Sequence, residues 1–156
     1  MTDTTGGDDA ASTALLLTTA HRLHRQLNDF TARLHIAHDF GDDSGLVHAV
    51  LIEEHAAGPG LRLSHCFGFF AEGDTDISEL RFSAGVTITS AGYTVEATVD
   101  ADLERPLGEF AAAVHTLYSE RIGRLSLTDA LRCLEEQVAV LCTMDGIPGR
   151  LGFVSR

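Results

Sequence analysis

Histidine is the residue through which this sequence could do chemistry. Eight are present, and seven lie between His21 and His65. His21, His24, His35 and His38 form two i,i+3 pairs, a spacing at which two imidazoles on one helix flank can reach a common metal ion. The pairs are symmetric about the midpoint between Asp29 and Phe30. An antiparallel helix pairing with a second copy, centred there, sets His21 against His38 and His24 against His35. These four are the candidate metal ligands, with Asp39, Asp42 and Asp43 near the second pair. Metal- or pH-dependent dimerisation is the corresponding expectation. The simpler expectation is four half-covered histidines bonded to backbone or solvent.

A second group lies further along the chain. His48 and His65 share the parity of apolar strand positions, and a neutral histidine in a pocket can act as a general base. With Phe67, Phe69, Phe70, Phe82 and Tyr93 they form the candidate lining of a ligand cup between sheet and helices. Glu53, Glu54 or Glu96 is the candidate carboxylate partner. The stretch Glu72-Gly73-Asp74-Thr75-Asp76 has carboxylates spaced for a divalent cation, but the calcium-loop pattern is incomplete. It reads as a solvated loop.

Other chemistries are excluded. All 11 basic residues are arginine, so nothing that needs a lysine, such as a Schiff base or a P-loop contact, is open to this chain. G-x-S-x-G, G-x-G-x-x-G and H-E-x-x-H are absent. Cys66, Cys133 and Cys142 form no C-x-x-C pair and lie on apolar stripes, which predicts buried thiols and a reducing cytoplasm. The net charge of −12 argues against nucleic acid and anionic lipid. No apolar run is long enough for a membrane span.

The elements that must position these residues follow from periodicity. Residues 1–11 read as a flexible acidic tail, and residues 12–156 as a single domain. Ser12 or Thr13 caps a predicted helix to about His38, with Leu16, Ala20, Leu23, Leu27, Phe30, Leu34 and Ala37 on one stripe. Gly41 to Gly45 breaks it. Four strands are predicted: Leu46 to Glu54, apolar on both faces and therefore central; Leu61 to Phe70; Leu80 to Thr89; and Tyr93 to Val99. Ser90-Ala91-Gly92 joins the last two as a hairpin. A helix is predicted from Asp102 to Gly123, on a stripe of Leu107, Phe110, Val114, Leu117 and Tyr118. A second begins at the cap Ser126. Residues 138–155 also read as a strand pair, and helix is preferred because cap and periodicity agree.

The sum is an α+β fold: a long N-terminal helix, a four-stranded antiparallel meander, and two C-terminal helices on one face. The functional expectation is a non-enzymatic acidic protein-interaction module of adaptor, chaperone-like or toxin-neutralising type. It would work as a homodimer without a cofactor, on a protein partner of basic character. The alternative is a small-molecule binding protein or enzyme using a His-containing pocket between sheet and helices.

Overall fold

Period-two alternation between residues 61 and 101 places one apolar ladder on one face of a sheet. In the structure, a computed structural model describing residues 5–41, 44–70, 77–103 and 113–156, that ladder is continuous. It runs through β2 (Gly58–Phe70), β3 (Ile77–Thr89) and β4 (Gly92–Leu103). Leu63 stands opposite Ala84, His65 opposite Phe82, and Phe67 opposite Leu80. Phe82 in turn faces Val99, and Ala84 faces Ala97. All of these side chains are buried. β1 (Gly45–His55) and β5 (Ala113–Leu125) complete an antiparallel sheet in the order β1-β2-β3-β4-β5.

Two helices cover the apolar face. α1 (Thr5–Ala37) buries Ala20, Leu23, Leu27, Phe30 and Leu34, spaced by three and four, and packs on β1 and β2. α2 (Leu127–Leu141) packs on β3, β4 and β5 and against α1. Its cap is Ser126, whose hydroxyl oxygen accepts from the Asp129 backbone N–H at 3.1 Å. Arg22 of α1 pairs with Glu135 of α2. A short α3 (Ile147–Arg150) follows, and the chain end then returns to α1. There the Asp39 N–H donates to Val154 O at 2.8 Å, and the Arg156 N–H to Ala37 O at 2.9 Å. The architecture is the expected α+β two-layer arrangement, and residues 138–141 are helical as preferred.

Three expectations are corrected. The sheet has five strands rather than four, because residues 113–125 form β5 where a helix was predicted. Two β-bulges interrupt the β4–β5 register, and each inserts a residue into β5. Tyr118, Ile122 and Leu125, which pack on the core, therefore recur at intervals of four and three, as on a helix. Val114 and Leu117, which built the predicted stripe, are exposed. Second, β1 is an edge strand and not a central one. Third, α1 begins at Thr5 rather than at the predicted cap Ser12 or Thr13.

The β1–β2 hairpin closes with His55 opposite Gly58 across Ala56-Ala57. Gly58 has φ +143°, and a Cβ there would collide with the carbonyl oxygen of Ile88 on β3. Gly58→Ala is expected to cost about 2 kcal/mol, read as a lowered urea midpoint. Gly146→Ala, which meets nothing within 4 Å, serves as the near-neutral control. Equal midpoints for the two variants would contradict the close approach of Gly58 to β3.

Candidate functional site

The hairpin register dictates the first contact of the site. With His55 paired to Gly58, His48 falls directly opposite His65. Both point to the face covered by α1, and α1 brings His24 down onto them. The ring centroids of His24 and His65 are 4.8 Å apart, those of His24 and His48 5.6 Å, and those of His48 and His65 5.7 Å. His24 Nδ1 and His65 Nε2 are 3.1 Å apart and share a hydrogen bond. His65 is completely buried, and its Nδ1 has no hydrogen-bond partner. His24 is half-buried and His48 is exposed at the mouth of the cluster.

Burial favours the neutral form of His65 and His24. Burial pushes the His65 imidazole down to about 3, and the neighbouring His24 and His48 add to the effect. His24 is lowered too, first by burial and then by His48 and His21. The His24–His65 pair thus presents neutral imidazoles with available lone pairs. It holds no carboxylate in the role expected of Glu53, Glu54 or Glu96. Glu53 Oε2 instead lies 3.0 Å from Arg62 Nε and 3.2 Å from His55 Nε2.

Of the residues expected to line a ligand cup between sheet and helices, two pack into the core. Phe67 and Phe82 are fully buried and pack edge-on at 6.4 Å, and Phe30 of α1 meets Phe82 edge-on at 5.6 Å. Tyr93 is partly buried against the same core. The side chains of Phe69 and Phe70, and the loop 72–76, lie outside the described residues. Two depressions among the described residues lie elsewhere. One of about 340 Å³ sits on the open sheet face and includes Arg62, Ser83, Glu96, Thr98 and Asp100. Another of about 470 Å³ lies beside Phe30, Arg33, His38 and Asp145. Neither includes His65.

The helix-borne histidine quartet is divided among three environments. His24 joins the cluster, with the exposed His21 one turn away. His35 Nε2 is 3.1 Å from Ser44 Oγ, and its ring stacks on Phe40 and Phe67. His38 is buried beneath the returning chain end, with Nδ1 3.3 Å from Leu34 O. Among the described residues, no group of three or more His, Cys, Asp or Glu stands ready as a metal cage. Burial raises all three thiols, Cys66 to about 11, so none is an activated nucleophile.

The His24 contact was the part that sequence reading missed. His48 and His65 were grouped by parity, but the helix flank carrying His24 was assigned to a second copy rather than to this chain's own sheet. The burial stripe beside that flank was the available signal. No helix among the described residues is long and apolar enough to cross a membrane. Compared with known proteins, the chain matches no family model, no curated sequence and no solved structure.

Proposed function

We propose that the chain is a non-enzymatic protein-interaction module that works as a homodimer joined through strand β1. The observation that supports this is the contrast between the two sheet edges. β5 carries two bulges and the charged residues Glu120, Arg121 and Arg124, features that discourage edge pairing. β1 keeps an unbroken register with β2 over its whole length. It leaves Val47, Val50, Leu51 and Ile52 exposed, Ile52 at 86%. A second copy is the occupant that the strand fits. Antiparallel twofold pairing centred on Leu51 sets Val50 against Ile52 and His48 against Glu54, twice each and on matching faces. The net charge of −12 then favours a basic protein as the partner of the assembled dimer. The packing of Phe67 and Phe82 against each other and of Phe30 on Phe82 supports this reading over a ligand cup there.

Light scattering tests it. The native chain is expected to run as a dimer and Ile52→Lys as a monomer, while Val140→Lys, exposed on α2, leaves the dimer intact. A native monomer, or a dimer indifferent to Ile52→Lys, would refute the β1 assignment.

A further inference from the structure

His65 and His24 are a poor investment as core packing. A fully buried imidazole should have both nitrogens satisfied, yet His65 makes its side-chain hydrogen bond through Nε2 alone and leaves Nδ1 without a partner. An apolar residue of similar shape would fill the position with no such penalty. The cluster also draws one histidine from each of three elements, α1, β1 and β2.

We propose that His24 Nδ1 and His65 Nε2 are the preformed half of a binding site for a divalent transition metal of the Zn²⁺ class, completed by His48. Two nitrogens bound to one tetrahedral Zn²⁺ at about 2.0–2.1 Å lie about 3.3 Å from each other. The observed separation is 3.1 Å. Three rings on such an ion have centroids about 5 Å apart, and here the three separations are 4.8, 5.6 and 5.7 Å. As the side chains stand, no group of three among the described residues is arranged as a cage. His48 must therefore turn inward, which its exposed position allows. The fourth position stays open to water. The ion replaces the His24–His65 hydrogen bond. Both rings remain neutral, with the proton of His65 on Nδ1 and that of His24 on Nε2. Imidazole-only ligation selects Zn²⁺, Ni²⁺ or Cu²⁺ over Mg²⁺ or Ca²⁺. All three ligands come from one chain, so the site can form without β1 pairing, although the proposed dimer sets His48 beside Glu54 of the second copy.

The test is titration of the full, tag-free chain with Zn²⁺ by calorimetry at pH 7.5, and with Co²⁺ by visible absorption. The expected result is one ion per chain with tetrahedral Co²⁺ bands. Affinity should fall by at least about 10-fold in His24→Gln and again in His48→Gln. His115→Gln, on β5, should bind as the native chain does. His48 is exposed, so its variant keeps the fold and the test stays decisive. No uptake of Zn²⁺, or uptake that His24→Gln and His48→Gln leave unchanged, overturns the proposal.

Discussion

Taking the protein from pH 7 to pH 4 is expected to remove roughly 2–3 kcal/mol of stability, and His65→Leu is expected to abolish most of that loss. The folded His65 imidazole takes a proton only near pH 3, whereas its ordinary value is 6.5. The unfolded chain therefore binds a proton at this residue that the folded chain refuses. Stability from the neutral form is complete above about pH 6.5 and falls as pH drops toward the folded value, by up to about 1.4 kcal/mol per pH unit for one proton. Residual solvation around the cluster reduces the full amount to the range given. His24, lowered in the same direction, adds to the slope. Asp39 and Asp129 are also depressed, Asp39 by the Gly41 N–H and Arg156, and Asp129 by Arg132 and Ser126. Their contribution is present above their ordinary value of 3.8 and is lost as pH falls below it, beneath the interval from pH 7 to pH 4. Urea midpoints at pH 7.5, 6, 5 and 4 separate the two effects. Parallel pH profiles for the native chain and His65→Leu would show that the buried imidazole is not the source.

The sheet was legible where strand regularity holds. Between β2 and β4 the period-two pattern is unbroken, and the β3–β4 hairpin closes on Ser90-Ala91 followed by Gly92, so that turn could be read directly. β5 was not legible because its bulges convert a strand period into a helical one. β1 was misplaced because apolar residues on both faces normally mark a central strand. Here the apolar outer edge is left uncovered, and the dimer proposal rests on that feature. For the histidines, spacing along α1 specified which residues share a flank. It did not specify what the flank meets. That depends on the crossing of α1 over β1 and β2, a tertiary fact set by Leu23, Leu27 and Phe30 rather than by the histidines themselves.

Phe82→Ala is expected to cost about 4 kcal/mol, the largest loss of any single substitution considered for this chain. Phe82 is fully buried on the middle strand, opposite His65 on one side and Val99 on the other. Its ring meets Phe30 of α1 and Phe67 of β2 edge-on, near 82° and 84°. Removing it loses the transfer energy of the ring, two aromatic contacts, and the packing around a cavity that neighbours on rigid strands cannot collapse into. Domains of this kind have total stabilities of about 5–15 kcal/mol, so the variant should sit close to its unfolding midpoint at 37 °C. Phe82→Leu keeps most of the volume and should cost about 1 kcal/mol. The pair of variants also reports on the histidine site, because Phe82 seats Phe30 and hence α1, which carries His24. Loosening that contact admits water to His65 and moves its titration up from about 3 toward the ordinary 6.5. Imidazole NMR shifts, followed against pH in Phe82→Leu and in Phe82→Ala at low temperature, should show a graded rise in that order. A His65 titration unmoved in both variants, despite the lost stability, would show that the seating of α1 and the neutrality of the histidine cluster are independent.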